Sequence, residues 1–160
     1  MTPEDQGLPT LDDDLNDTVR ERAVACVTGP GAADAVRTAL ARAAAGPHVE
    51  VTAPRGASTT GFAHTLYTAL RLDVHHGPPP AERSAAYRRI DAHLARRSPV
   101  LLVPDAHTLR RAVLQDLLGP WKHDNGPCCL ILTGTHRLRP AIEAAQRDGA
   151  VQLWLSLDNA

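Results

Sequence analysis

Two short segments carry the residue types from which anion chemistry is built. Gly29-Pro30-Gly31 closes the apolar run Ala23-Val24-Ala25-Cys26-Val27-Thr28 and opens a stretch of helical period that begins Ala32-Ala33-Asp34-Ala35-Val36. A glycine turn at a helix start presents backbone N–H groups and the positive end of the helix dipole, an arrangement suited to phosphate. Asp105 follows a second apolar run, Val100 to Pro104. A carboxylate at such a strand end can orient a metal-bound or attacking water, and it can equally cap the helix that follows. Thr133 and Thr135 close a third run, as polar groups that could sense a ligand or simply end a strand. Phosphate work also needs a cation, and the chain holds sixteen arginines but one lysine, Lys122, about ninety residues downstream of the glycine turn.

The arginines suggest different chemistry. Arg83, Arg88, Arg89, Arg96, Arg97, Arg110 and Arg111 cluster in sequence. Arg88, Arg89, Arg96 and Arg97 are the candidate nucleic-acid contacts, with a solvated helix face as the plain alternative. A formal net charge of -1 and 3% aromatic residues leave little for base stacking. His75-His76 precede Gly77-Pro78-Pro79-Pro80 and read as exposed loop residues. No histidine spacing makes a helix-borne ligand pair, so no metal site is expected. Cys26, Cys128 and Cys129 lack zinc spacing and read as small core residues. No G-x-S-x-G elbow is present.

The elements that must position these residues alternate. Strands are expected at 23–28, 49–52, 100–103, 129–133 and 151–155. Helical stripes fall between them at Val36/Leu40/Ala44, Phe62/Leu66/Leu70, Tyr87/Ile90/Leu94 within 81–97, Leu109/Val113/Leu117 and Leu138/Ile142/Ala145. Short β-branched runs alternating with helices make parallel βαβ units. The unbroken apolar run 100–103 implies a strand covered on both faces and central in the sheet.

In this order the segments resemble an AAA-type P-loop ATPase. Val27-Thr28-Gly29-Pro30-Gly31 resembles the start of a Walker A loop, and Leu101-Leu102-Val103-Pro104-Asp105-Ala106-His107 a Walker B strand. Leu130-Ile131-Leu132-Thr133-Gly134-Thr135, followed by His136-Arg137-Leu138-Arg139, is similar to a sensor-1 strand and its helix. The likeness is to helper ATPases of transposition and secretion, of the TniB, MuB and ExeA kind, and spans residues 18 to 157. It implies a three-layer α/β P-loop (RecA/AAA-like) core with a five-stranded, mostly parallel sheet. The small helical lid that follows such cores is expected to be lacking. The nucleotide site would lie on Gly29, Pro30, Gly31, Ala32, Ala33, Asp34, Ala35, Val36 and Thr133.

The motif residues depart from that pattern. Counting from Gly29, Asp34 stands at the second glycine, Ala35 at the lysine and Val36 at the magnesium-holding hydroxyl. Asp34 brings negative charge where a polyanion would approach and can satisfy the same helix end. Arg37, two residues beyond the lysine position, is expected to point elsewhere. Pro104 stands at the magnesium aspartate and Asp105 at the catalytic glutamate. ATP and magnesium are therefore not expected as cofactors.

A chain of 160 residues fits one domain. The expected division is a mobile acidic lead over 1–18, with Pro3, Gly7, Pro9 and Asp12-Asp13-Asp14, and a core over 19–160. No apolar run reaches a membrane span and no signal segment opens the chain, so a cytoplasmic location is expected. The expected function is a non-catalytic interaction or regulatory module acting on a protein partner, either a related AAA ATPase or a second copy, or on a DNA complex. An atypical nucleotide switch and an arginine-rich nucleic-acid-binding protein are the alternatives.

Overall fold

The structure is a computed structural model that describes residues 11–43, 48–121 and 126–157. Lys122, residues 1–10 of the expected lead, and Ala44 and Gly46 at the expected end of the first helical stripe lie outside the described residues. Five strands form one sheet in the order β2-β3-β4-β1-β5: β1 Val24–Thr28, β2 His48–Glu50, β3 Val100–Val103, β4 Cys129–Gly134 and β5 Val151–Ser156. All four neighbouring pairs are parallel. The middle strand is β4, with β3 beside it. Val51, just beyond β2, still donates its N–H to the Leu102 carbonyl at 2.8 Å.

Successive strand residues point to opposite faces, and here both faces are apolar. Val24, Cys26, Leu101, Val103, Leu130 and Leu132 enter one core, while Ala25, Val27, Val100, Leu102, Cys129 and Ile131 enter the other. Among the described residues two helices cover the second face, α1 Leu11–Glu21 and α2 Ala32–Ala43. Five cover the first: α3 Thr59–Ala69, α4 Leu72–His76, α5 Arg83–Arg97, α6 Arg111–Leu118 and α7 Leu138–Ala144. This three-layer α/β arrangement is the one expected. Burial pushes the Cys128 thiol up to about 12 and raises Cys26 and Cys129 further. The three are free cysteines held protonated in the core, as their sequence context implied.

Three expectations change. Residues 11–18 of the acidic lead are helical: Leu11, Leu15 and Val19 lie on one stripe against the second face, and Leu15 is 1% exposed. The acids are the reason, since Asp12, Asp13 and Asp14 occupy the first turn, where carboxylates favour the helix N-terminus. His75 and His76 stand in the last turn of α4 rather than in a loop, and both are exposed. Leu109 falls between the short 3-10 turn Ala106–Thr108 and α6 instead of inside a helix.

Candidate functional site

The glycine turn takes the form that its residues allow. Gly29 at φ 118° and Gly31 at φ 71° adopt left-handed backbone that side chains resist. Pro30, lacking an N–H, sits between them. Gly29 N–H donates to the Gly134 carbonyl at 3.1 Å, tying the loop to the end of β4, and Ala32 and Ala35 N–H donate back to Gly29 and Gly31. The N–H groups of Gly31, Ala33 and Asp34 donate to no described residue. They form the free donor rim of the α2 N-terminus.

An open cleft of about 370 Å³ lies against this rim, lined by Gly29, Pro30, Gly31, Ala32, Ala33, Asp34, Arg37, Asp105, Thr133, Gly134 and Thr135. It sits at the carboxyl ends of β1, β3 and β4, where open parallel sheets bind ligands. The sequence-derived candidates therefore converge, with two exceptions. Ala35 does not line the cleft, and Val36 is fully buried in the core. A side chain at position 36 faces inward, and its methyls offer no ligand to a cation.

The one cation among the described cleft residues, Arg37, is already paired with acids. It lines the cleft rather than pointing elsewhere. Its Nε and Nη2 donate to Glu50 Oε1 and Oε2 at 2.7 and 2.8 Å, and Nη1 donates to Asp34 Oδ1 at 2.6 Å. The fork geometry of guanidinium makes this bidentate hold possible from the second turn of α2. Hydrogen bonds from Arg37 hold the Glu50 carboxyl below its ordinary range, and those to Glu50 raise the Arg37 guanidinium further. Asp34 thus spends its carboxylate on Arg37 and not on the helix-end N–H groups. Glu50 was not legible as a site residue, being one polar position in the strand Val49-Glu50-Val51. Arg37 had a readable signal in its i,i+3 spacing from Asp34.

Asp105 also differs from expectation. It precedes the 3-10 turn at φ 54° and its side chain makes no cap hydrogen bond; its main-chain carbonyl instead accepts from Thr108 N–H at 3.0 Å and Thr108 Oγ1 at 2.7 Å. The exposed carboxylate is left to line the cleft. Thr133, 1% exposed, forms the floor. His107 Nδ1 accepts from Thr135 N–H at 3.3 Å, joining the β3 and β4 ends.

Two other features stand apart. A larger cleft of about 650 Å³ between α5 and α6 holds Tyr87, Asp91, Asp116 and Arg147 at the opposite end of β4. Arg83 Nη1 is 3.4 Å from Asp116 Oδ2, an ion-pair distance that lacks hydrogen-bond geometry. This cleft holds neither the glycine turn nor the strand-end residues, so volume alone is a poor guide here. Arg88, Arg89, Arg96 and Arg97 are all exposed on α5. Among the described residues no helix is long and apolar enough to cross a membrane, and no group of three or more His, Cys, Asp or Glu is placed to hold a metal ion.

No protein-family model and no curated protein matches the chain. Solved structures do. The chain is similar to Cdc6p from Pyrobaculum aerophilum at a TM-score of 0.67 and 15% identity, over 96% of this chain and 45% of that one. It is similar to a chain of the Drosophila ORC bound to DNA at 0.60 and 17%, over 93% of this chain and 29% of that one. A chain of the Drosophila ORC bound to AT-rich DNA and Cdc6 matches at 0.61 and 11%, over 91% and 53%. The chain thus spans about half or less of the length of these proteins. At such identities the likeness carries the fold alone: a five-stranded parallel α/β sheet with flanking helices.

Proposed function

We propose that this chain is a non-hydrolytic P-loop-fold module that works by docking onto a protein partner, either an intact AAA-type ATPase or a second copy. The observation that carries the reading is the closed charge set of the cleft. Its one described cation, Arg37, is claimed by two carboxylates, Asp34 and Glu50, and Asp34 occupies the approach to the free N–H rim. A triphosphate entering there meets a net negative set with no lysine at position 35 and no hydroxyl at position 36. Asp105, one methylene shorter than glutamate and preceded by Pro104, would polarise water weakly. The likeness of the sequence to helpers of the TniB, MuB and ExeA kind belongs to the same proposal, as does action within a DNA complex, the setting of the Drosophila structures above.

The test is a titration with a fluorescent ATP analogue, with and without magnesium. No saturable binding at micromolar protein is expected, while a purification that retains partners yields a stoichiometric protein complex. Micromolar, magnesium-dependent binding would overturn the reading. A second reading is favoured by the free N–H groups of Gly31, Ala33 and Asp34: a slow nucleotide switch held through backbone and Thr133. Isothermal titration with adenine and guanine nucleotides that gives no heat removes it.

A further inference from the structure

Of the sixteen arginines, Arg20, Arg37, Arg42 and Arg83 have acidic partners within ion-pair distance. The α5 arginines are placed differently. Arg89, His93 and Arg96 are spaced i, i+4 and i+7, which puts them on one flank of the helix, with Arg97 a further turn from His93. Arg89 Nη1 donates to Tyr67 Oη at 3.1 Å, a neutral partner that orients the guanidinium and leaves its charge uncancelled. Arg88, Arg96 and Arg97 are exposed, and no ion pair with an acid is found for them among the described residues.

The short helix α4 brings His75 and His76 to the same flank. His93 is held below the ordinary imidazole range first by its partial burial, then by Arg96, Arg97, His75 and His76, so these five groups share one electrostatic neighbourhood. Two acids bear on it. Asp73 is exposed on α4. Asp91 lies on the other side of α5 with Tyr87 and Ala95, facing the cleft toward α6. The chain as a whole is near neutral, so the concentration of cations on this flank is local.

We propose that the flank of α5 bearing Arg89, His93, Arg96 and Arg97, extended by His75 and His76 of α4, is a docking surface for the phosphate backbone of nucleic acid. The eight helical steps from Arg89 to Arg97 span about 12 Å, enough for several phosphates of a duplex. Guanidinium forks match phosphate oxygens, and histidines donate hydrogen bonds to them. With no exposed aromatic ring on the flank to stack on bases, binding is sequence-independent. Arg96 and Arg97 also complement the helix C-terminal dipole, a role that affects stability and not DNA affinity.

Fluorescence anisotropy with a labelled DNA duplex of mixed sequence tests the surface. Neutralising about three phosphates gives a slope of about -2.7 in log K against log salt, so affinity falls about 40-fold between about 50 and 200 mM. The pair Arg96→Gln and Arg97→Gln should reduce the slope by about 2 while leaving the circular dichroism spectrum unchanged. Arg20→Gln, on α1, should change nothing. If the arginine pair weakens folding, His75→Gln with His76→Gln serves instead, with lowered affinity expected because two hydrogen-bond donors to phosphate are lost. No binding at about 50 mM salt, an unaltered slope in the arginine pair, or equal displacement by polyglutamate at matched charge would overturn the proposal.

Discussion

The cleft is organised by single side chains that restrict one another. Gly134 closes β4 against His107, and a Cβ at position 134 would lie 2.7 Å from His107 Nδ1 and 3.4 Å from its Cβ. Gly134→Ala must therefore displace the imidazole and break its bond from Thr135 N–H, at a cost of about 1–3 kcal/mol in urea unfolding. Adding His107→Ala should recover part of that loss, because the clash is with this ring; additivity of the two changes would refute the contact. Glu50 gives a pH signature. Its carboxyl is held below the ordinary value of 4.5 in the fold, so the unfolded chain takes up the proton first as pH falls. The stabilisation is complete above that value and is lost as pH drops through the lower folded one. Glu50→Gln should flatten this acid limb of the stability curve, read as unfolding midpoints between pH 6 and about 3.

At the level of elements, α1 is the sharpest test of how the chain is organised. Leu15 is 1% exposed between α1, α2 and the sheet, so Leu15→Ala should cost about 2–5 kcal/mol. A mobile lead would show a change within about 0.5 kcal/mol. The helix escaped sequence reading because three successive aspartates look like a solvated, disordered run, whereas at a helix start the same charges complement the dipole. Strands were easier to find. Val100–Val103 and Cys129–Leu132 are apolar at every position because helices cover both faces, and such runs need no periodicity to be recognised. The site was legible as far as backbone chemistry reaches: Gly29 and Gly31 announced the loop, and Thr133 its floor. The Arg37–Glu50 clasp was hidden because it joins α2 to β2, and no local pattern reports which strand will lie beside a helix.

For the whole molecule, the proposal separates shape from chemistry, and ligand-linked stability measures both. A ligand present at 100 times its dissociation constant stabilises the fold by about 2.7 kcal/mol. For a domain of this size that raises the unfolding midpoint by about 5–11 °C. Wild-type protein with magnesium and ATP at about 0.1 mM should move by less than about one degree, the result for a site with affinity no better than millimolar. Asp34→Gly with Ala35→Lys removes the carboxylate from the rim and places an ammonium one turn into α2, leaving buried Val36 and the core untouched. It also frees Arg37 from one of its two acids. This variant should gain several degrees with the nucleotide, since Gly29 and Gly31 already hold the loop in left-handed backbone beside the cleft. A wild-type shift of that size would mean that the cleft binds nucleotide despite its charges. If neither protein shifts, the loop is not a phosphate cradle and the likeness to P-loop proteins ends at the fold. A shift in the variant alone locates the loss of nucleotide binding in two side chains on an otherwise competent scaffold.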